Sequence, residues 1–265
     1  MEERRAEYAF GRDQMAAQRL ALVHSMLEPA TRELLEEVSG IGRFGVVFDL
    51  GCGPGLTSRL LDEHLRPDRL VGLDLSETFL RLARTAVPGG FFLLHDLLHA
   101  PWPQTPVDLA YARYVLTHLP DPEARVRGWL DELRPGGLLV LEENEWISSR
   151  QLVFTRYLEL AAQLLAGRGH DLYVGSRLAA MSPVPRLSRV REVTAGTAHV
   201  ARMFRMNLRS WGPGLEELDQ ELASLERSHA SGEITWGLRQ LVLVRDSRVD
   251  QRVVEIEDSG GRSHP

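Results

Sequence analysis

Residues Val46 to Gly55, which read VVFDLGCGPG, decide the predicted fold of this chain of 265 residues. The apolar residues around Asp49 are typical of a strand that is buried on both faces, as strands of parallel sheets are. The glycines that follow permit a tight turn and let the backbone come close to a ligand. Leu56 begins the segment LTSRLLDEHL, in which leucines recur at the spacing of a helix with one buried face. A strand, a glycine turn and a helix in this order predict the ligand-binding corner of a doubly wound α/β sheet.

The spacing of the glycines narrows the choice of ligand. A dinucleotide-binding turn has the pattern G-x-G-x-x-G, but the position of its third glycine is Leu56 here. A phosphate-binding P-loop is excluded, because no Gly-Lys-Ser/Thr follows and the chain contains no lysine. The spacing Asp49-x-Gly51-x-Gly53-x-Gly55 instead resembles motif I of the class I S-adenosylmethionine (SAM) methyltransferases. Taken alone, this motif is also compatible with a glycine turn of an unrelated α/β protein.

Two further acids follow apolar segments at the expected distances. Leu70–Leu75 reads LVGLDL and contains Asp74, about 20 residues beyond the glycine turn, where a carboxylate accepts hydrogen bonds from ribose hydroxyls. Phe91–Leu94 is followed closely by Asp96 and Leu97. The resemblance implies that Asp96 accepts from the adenine amino group and that the N–H of Leu97 meets a ring nitrogen. Each acid alone is also compatible with a helix N-cap, but three strand-ending acids in this order favour SAM.

The rest of the first half continues the pattern. The segments VDLA from Val107 and LLVL from Leu138 predict strands four and five. Residues 8–146 resemble small-molecule methyltransferases of the ubiquinone-methylase-like group. The resemblance implies an α/β fold with a doubly wound, seven-stranded, mostly parallel sheet and an N-terminal helical cap. It also implies that Leu238–Val244, which reads LRQLVLV, is the last strand and lies antiparallel beside strand five.

The chain divides into four predicted segments. Residues 1–42 form a helical cap with amphipathic stretches at Gln14–Leu27 and Thr31–Val38. Residues 43–149 form the SAM-binding α/β core. Residues 150–250 hold the substrate-side helices and the final strands that complete the sheet, and residues 251–265 are a polar tail.

The composition is typical of a globular protein with one full core, since 43% of the residues are hydrophobic and 26% are charged. The net charge of −6, without a block of like charges, argues against a nucleic-acid surface. No apolar run approaches the ~20 residues that span a bilayer, and the charged amino end does not resemble a signal peptide. We therefore expect a cytoplasmic protein with a small-molecule substrate and no nucleic-acid or membrane partner. A homodimer is the candidate assembly.

SAM is the expected cofactor, and its contacts are predicted from the motif positions. Arg19 is predicted to bind the methionyl carboxylate in bidentate fashion, as guanidinium groups do. Tyr8 is predicted to close over the methionyl part, where an aromatic face attracts a sulfonium. Arg113 matches a position that usually reaches the cofactor through its backbone, and surface packing is the alternative for these three side chains. The full set of predicted cofactor-binding residues is Tyr8, Arg19, Gly51, Cys52, Gly53, Asp74, Leu75, Asp96, Leu97 and Arg113.

The predicted chemistry is a direct displacement at the methyl group of SAM, which depends mainly on orientation of the acceptor. A base is needed only when the nucleophile carries a proton of high pKa. His118 and Glu143 are the predicted catalytic residues, because both follow strands at the ligand edge of the sheet. The alternatives are packing of His118 beneath a helix, and helix capping or solvation of Glu143. No metal site is expected, since ligand clusters at a useful spacing are missing and Cys52 is the single cysteine.

The predicted function is SAM-dependent transfer of a methyl group to an oxygen or nitrogen of a small molecule of secondary metabolism. One alternative is a protein or RNA methyltransferase. Against it, the segment from Tyr111 to Tyr114 reads YARY and lacks the Asn-Pro-Pro-Tyr-like signature of enzymes that methylate planar amides and amino groups. Another alternative is a SAM-binding protein without methyl transfer, such as a regulator or a repurposed catalyst. The cofactor motifs would be the same in that case, so both interpretations stay open.

Overall fold

The structure of the protein is a computed structural model. It describes residues 14–103, 106–183, 185–228 and 233–246. Tyr8, which is predicted to contact the cofactor, lies outside the described residues.

A seven-stranded sheet forms the centre of the molecule, with the strand order β3-β2-β1-β4-β5-β7-β6. Strands β1 to β5 run parallel, and β7 is antiparallel to both of its neighbours, β5 and β6. The predicted fold, a doubly wound and mostly parallel sheet with an antiparallel last strand, is confirmed. The strands are β1 Val46–Leu50, β2 Arg69–Asp74, β3 Phe91–Leu94, β4 Val107–Arg113, β5 Leu133–Ser149, β6 Leu187–Gly196 and β7 Glu233–Val244.

Helices cover both faces of the sheet. On β1, Phe48 and Leu50 pack into one apolar cluster and Val47 packs into another, so successive residues of the strand serve opposite faces. A 3₁₀ helix, Leu116–His118, follows β4. The α-helices of the described residues are α1 Gln14–Ser39, α2 Leu56–Leu65, α3 Glu77–Ala86, α4 Pro122–Asp131, α5 Leu152–Ala166, α6 Gly175–Ala179, α7 Thr197–Trp211 and α8 Glu216–Arg227.

The backbone conformation and the neighbouring residues both require glycine at the turn between β1 and α2. Gly51, Gly53 and Gly55 all have positive φ, at 66°, 53° and 85°. A Cβ at Gly51 would lie 2.6 Å from Cγ2 of Val115, and one at Gly55 would lie 2.7 Å from Cα of Ala83 on α3. The first glycine therefore lets β1 end against the segment after β4, and the third lets α2 pack closely on α3.

One continuous helix, α1, takes the place of the two predicted amphipathic stretches, with Pro29 inside it. A proline removes one backbone hydrogen bond and crowds the preceding turn, which destabilises an isolated helix. Here Leu27, Leu34 and Leu35, on both sides of the proline, are completely buried. Burial of this apolar face favours a continuous helix over a break at Pro29.

The described part of the second half contains three elements that the sequence did not predict, α6, β6 and α7. Strand β6 lies at the edge of the sheet and its residues alternate between exposed and half-buried, so it lacks the apolar run of a buried strand. Helices α5, α7 and α8 bury a further apolar cluster around Phe154 and Phe204. Because β6 and β7 join the same sheet as β1 to β5, the predicted segments 43–149 and 150–250 share one sheet, and their division into domains stays a prediction.

The carboxylate of Glu142 on β5 fastens α1 to the sheet. It is completely buried and accepts hydrogen bonds from Oγ1 of Thr31 on α1 and Nε2 of Gln240 on β7, both at 2.7 Å. The hydroxyl of Tyr111 on β4 donates to the same carboxylate. Gln240 Nε2 also donates to the carbonyl of Ala30 at 3.0 Å. These bonds offset the cost of burying the carboxylate and fix the position of α1.

Glu143, the next residue, points to the opposite face of β5. Its side chain is 1% exposed, and Oε1 accepts the backbone N–H groups of Val115 at 2.9 Å and Leu116 at 2.7 Å. Burial raises the pKa of Glu143 to about 8, although the backbone hydrogen bonds lower it. Oε2 is buried and makes no hydrogen bond to a described residue. Glu143 is therefore mostly protonated at neutral pH and anchors the 3₁₀ helix.

The hydroxyl of Tyr111 should contribute measurably to stability. We expect Tyr111→Phe to lower the free energy of unfolding by about 1.5–3 kcal/mol, because the ring is kept while Glu142 loses one donor. Urea unfolding followed by circular dichroism measures the change. Tyr173→Phe is the matched control, since the hydroxyl of Tyr173 makes no hydrogen bond to a described residue. Equal losses in the two variants would contradict the role of Glu142 as an anchor.

The raised pKa of Glu143 predicts that the stability of the protein depends on pH. Because this pKa is raised from its ordinary value of 4.5 to about 8, the folded protein holds a proton that the unfolded chain releases. Stability that depends on this proton falls as the pH rises from about 5 to about 8. We expect the slope to be shallower in Glu143→Gln, whose amide oxygen still accepts the backbone N–H groups.

Thermal unfolding across that pH range measures both slopes. The exposed residue Glu36 on α1 provides the control, and Glu36→Gln should keep the slope of the unaltered protein. If Glu143→Gln also keeps that slope, the buried carboxyl does not carry the proton.

Candidate cofactor site

The glycine turn and the end of β2 meet at the carboxyl edge of the sheet. Asp74 Oδ2 accepts the N–H of Gly53 at 2.9 Å, and Oδ1 accepts the N–H of Ser76 at 2.7 Å. These bonds orient the half-buried carboxylate toward the turn. A Cβ at Gly53 would meet only Cδ1 of Leu20, at 3.6 Å, so the turn is open on the side that faces α1.

Asp49, the acid of the first strand, is part of the scaffold of the site. It is 1% exposed, and its Oδ2 accepts the hydroxyl groups of Thr57 at 2.7 Å and Ser58 at 2.6 Å. Burial raises the pKa of Asp49 to about 6, and the two hydroxyl groups lower it. Asp49 therefore joins β1 to the first turn of α2 and fixes the glycine turn between them.

The third strand brings a second accessible acid to the same edge. Asp96 is about one third exposed, with a side-chain relative exposure of 34%, and its Oδ1 accepts the N–H of Leu98 at 3.0 Å. Leu75, beside Asp74, is 40% exposed, whereas Leu97 is buried and its carbonyl accepts from Nε1 of Trp129. An exposed leucine between two acids suits a flat ring with polar edges. The cofactor contacts of Asp74, Leu75, Asp96 and Leu97 stay predictions.

Cys52 has its polar groups occupied within the turn. Its N–H donates to the carbonyl of Leu73 and its own carbonyl accepts the N–H of Gly55, each at 3.0 Å. The thiol is buried against β2, close enough that a Cβ at Gly72 would lie 2.9 Å from Sγ. Burial raises the pKa of this thiol. Cys52 thus shapes the turn, and its predicted contact with the cofactor stays a prediction.

The side chain of Arg113 is directed toward α1. Nη1 donates to Oγ1 of Thr31 at 3.1 Å, and Nη2 lies 2.9 Å from Nδ1 of His24. Burial, and then the charge of Arg113, lowers the pKa of His24 to about 4, so this ring is neutral near pH 7. The guanidinium braces α1, and contact between the cofactor and the backbone of Arg113 stays a prediction.

Arg19 and His118 lie close enough to interact beside the glycine turn. Arg19 is 7% exposed and precedes Leu20, the residue that faces Gly53. Burial, and then the positive charge of Arg19, lowers the pKa of His118 to about 3. Arg19 thus belongs to the helix turn that faces the glycine turn. That Arg19 binds the methionyl carboxylate stays a prediction.

The two predicted catalytic residues reach the ligand edge of the sheet, but neither has the properties of an efficient base. His118 is a weak proton acceptor, because its pKa of about 3 lies far below neutral pH. Glu143 uses Oε1 to hold the 3₁₀ helix, and its raised pKa of about 8 keeps it mostly protonated. Catalysis by either residue stays a prediction, whereas the anchoring by Glu143 is seen directly.

The roles of several residues that shape the site were not predicted from the sequence. Thr31 and Gln240 meet Glu142 from opposite ends of the chain, and no local pattern indicates such a contact. Tyr111 gave a weak signal, since a tyrosine within a buried strand needs a partner for its hydroxyl. Thr117 Oγ1 donates to the carbonyl of Asp171 at 2.6 Å, which joins the 3₁₀ helix to the segment after α5.

The described residues hold neither a metal-binding cluster nor a membrane-spanning helix. Within residues 14–103, 106–183, 185–228 and 233–246, three or more histidines, cysteines or acids do not come together in a group that could hold a metal ion. The helices in the same part of the chain include none that is long and apolar enough to span a bilayer.

Solved structures show the same fold at low sequence identity. The YcgJ protein from a Bacillus species has a TM-score of 0.54 at 14% identity, covering 82% of this chain and 98% of that one. Geranyl diphosphate C-methyltransferase from Streptomyces coelicolor A3(2) has a TM-score of 0.50 at 15% identity, covering 91% of this chain and 88% of that one. At these identities the likeness concerns the fold alone.

Part of the chain is similar in sequence to methyltransferases. A family model described as a methyltransferase domain matches residues 48–141. The trans-aconitate 2-methyltransferase of Azoarcus sp. (strain BH72) is 42% identical over 113 residues, which is 43% of this chain and 44% of the relative. That of Escherichia coli (strain 55989 / EAEC) is 26% identical over 202 residues, 73% of this chain and 79% of the relative.

The alignments with the first curated relatives cover less than half of each relative's length. The matched domain contains the glycine turn, Asp74, Asp96 and strand β4. Residues 48–141 therefore carry a methyltransferase domain, in agreement with the predicted resemblance to the class I SAM-dependent methyltransferases.

Proposed function

We propose that the protein transfers the methyl group of SAM to an oxygen of a small-molecule acceptor. The observation that carries this proposal is the meeting of Gly53, Asp74 and Asp96 at the carboxyl ends of three adjacent parallel strands. In doubly wound sheets, ligands bind at this edge, where the strand order reverses beside the first strand. Here the reversal lies between β1 and β4, next to the glycine turn.

The residues present at this edge fit SAM. Asp74 is oriented by Gly53 N–H at 2.9 Å and suits the two ribose hydroxyl groups. Asp96 suits the adenine amino group, and the exposed side chain of Leu75 suits one face of the ring. Arg19, on the helix α1 whose Leu20 faces Gly53, is the cation that we assign to the methionyl carboxylate. Each of these assignments is part of the proposal.

The reaction requires mainly that the protein orient the methyl donor and the acceptor. SAM supplies a methyl group that is already activated by its sulfonium. The chain holds donor and acceptor in line, which is worth up to ~7–11 kcal/mol in well-oriented model reactions. Because His118 and Glu143 are poor bases near neutral pH, the acceptor that fits best is one that is ionised before it binds.

The relatives support a small acceptor oxygen over a nitrogen. They are named trans-aconitate 2-methyltransferases, and trans-aconitate is a small organic acid whose nucleophiles are carboxylate oxygens. A carboxylate needs no base at neutral pH, which agrees with the properties of His118 and Glu143. An acceptor from secondary metabolism, a cytoplasmic location and a homodimer stay predictions.

The ribose contact can be tested through SAM affinity. We expect Asp74→Ala to weaken binding of SAM and of its demethylated product roughly ten- to hundredfold, because two hydrogen bonds to a charged group are lost. Titration calorimetry measures both affinities. Asp68→Ala is the control, since Asp68 is exposed at the start of β2 and pairs with Arg43. SAM affinity within twofold of the unaltered protein would refute the assignment of Asp74.

Turnover separates the proposed function from its alternatives. With methyl-labelled SAM and a panel of small organic acids, we expect labelled methyl esters. Binding of SAM without any labelled product would favour a regulator or a repurposed catalyst. Label that appears only on added protein or RNA would favour a macromolecular methyltransferase.

A further inference from the structure

We propose that a cavity between the end of β5 and α5 binds a small organic cation, an amine with an apolar body, at a place separate from the predicted cofactor site. The volume of the cavity is about 350 Å³. This volume lies at the lower end of the range of small-molecule sites. The inference does not rest on the proposed function, because it concerns a different part of the sheet.

Strand β5 carries the cavity away from the edge where the parallel strands end. The last pair of β5 with β4 joins Glu142 to Arg113, whereas β5 itself continues to Ser149 along β7. Ile147, which lines the cavity, lies five positions after Glu142. Such a separation corresponds to roughly 15 Å along an extended strand. A ligand in the cavity would therefore leave the space beside the glycine turn open for a cofactor.

Helix α5 forms the opposite wall of the cavity. Thr155, Glu159 and Ala162 recur at the spacing of one helix face, and all three line the cavity. Leu152 lies one turn before Thr155 on the same face and is 79% exposed. The apolar surface of this leucine is thus uncovered next to the cavity, and the apolar body of a ligand could cover it.

The segment after α5 closes a third side of the cavity with Tyr173. The N–H of Tyr173 donates to Oδ1 of Asp171 at 2.9 Å. The carbonyl of Asp171 accepts from Oγ1 of Thr117 at 2.6 Å. These two bonds fix the backbone of Tyr173 relative to the 3₁₀ helix, so its half-buried ring extends from a fixed point.

The lining combines apolar surface with hydroxyl groups. Ile147, Leu158 and Ala162 supply aliphatic groups, and Tyr173 supplies an aromatic ring. Two serines of β5 and Thr155 add hydroxyl groups. Small-molecule sites commonly have this composition, in which apolar walls bind the body of the ligand and a few polar groups orient it.

The charge of the lining is negative. Glu159 is the one charged side chain among the described residues that line the cavity, and no described residue forms an ion pair with it. Its neighbour Arg156 is paired with Glu221 at 2.7 Å. A carboxylate repels an anionic ligand and attracts an ammonium group, and the aromatic ring of Tyr173 adds a cation–π attraction. The charge therefore favours an amine as the occupant.

Three probes of nearly the same shape test the preference for a cation. Phenethylamine is a cation at neutral pH, phenethyl alcohol is neutral and phenylacetate is an anion. We expect phenethylamine to bind the full chain about three- to fivefold more tightly than the alcohol, since an exposed carboxylate contributes modestly. Phenylacetate should bind more weakly than the alcohol. The preference should decrease at high ionic strength, where the charge of Glu159 is screened.

The isoleucines of the chain allow the bound probe to be located by NMR. The chain contains four of them, Ile41, Ile147, Ile234 and Ile256. With labelled isoleucine methyl groups, the signal of Ile147 should shift during the titration with phenethylamine. The signal of Ile41, which follows α1 and does not line the cavity, should stay in place. The variant Ile147→Val assigns the signal by its loss.

Two substitutions test the cavity itself. Glu159→Gln should weaken phenethylamine about three- to fivefold and leave the alcohol unchanged, because only the charge is removed. Glu36→Gln, at an exposed position of α1, is its control. Ala162→Phe should fill the cavity and abolish the shift of Ile147, whereas Ala166→Phe, at the exposed end of α5, should preserve it. Circular dichroism checks that each variant is folded.

Several results would overturn the inference. They are equal affinities for the three probes, binding of phenethylamine without a shift of Ile147, and an unchanged affinity in Glu159→Gln. Displacement of phenethylamine by S-adenosylhomocysteine would place the amine in the cofactor site and would also refute it. Failure of the proposed function has a different signature, because S-adenosylhomocysteine would then not bind, while the shift of Ile147 would be unaffected.

Discussion

The buried carboxylate of Glu142 is the interaction on which the site depends. Its donors come from Thr31 on α1, Tyr111 on β4 and Gln240 on β7, so one side chain joins a helix to three strands of the sheet. Burying a carboxylate is costly, and only a complete set of donors makes it favourable. One of these donors belongs to α1. A shift of the helix along the sheet would therefore remove a hydrogen bond from the buried carboxylate. The position of Leu20 opposite Gly53 follows from this constraint.

Two adjacent residues of β5 hold elements on opposite faces of the sheet. Side chains alternate along a strand, so Glu142 holds α1 while Glu143 holds the 3₁₀ helix on the other face. Both contacts lie at the carboxyl edge, where the parallel strands end. Arg113 adds a brace between β4 and α1 through Thr31. Acids that resemble candidate catalysts in sequence thus serve to position the groups around a ligand.

The structural elements around the predicted cofactor site were largely predictable from the sequence, because their sequence determinants are local. The strand, the glycine turn, the helix and the acids at the ends of β2 and β3 follow in order along the chain, and each has its own pattern. Strand β6 was not predicted, because an edge strand with alternating exposure has no apolar run. The continuous α1 was missed at Pro29, where burial outweighs propensity. Contacts such as Thr31 to Glu142 depend on tertiary structure and leave no local signal.

The residues predicted to bind the cofactor are constrained by the packing of the sheet. They lie in the glycine turn and at the ends of strands within residues 48–141, where a substitution disturbs that packing. The segment after α5 is joined to the 3₁₀ helix through Thr117, whose hydroxyl donates to the carbonyl of Asp171. Because the glycine turn is tied to the packing of the strands and helices around it, its pattern indicates the cofactor, whereas nothing in that pattern specifies the acceptor.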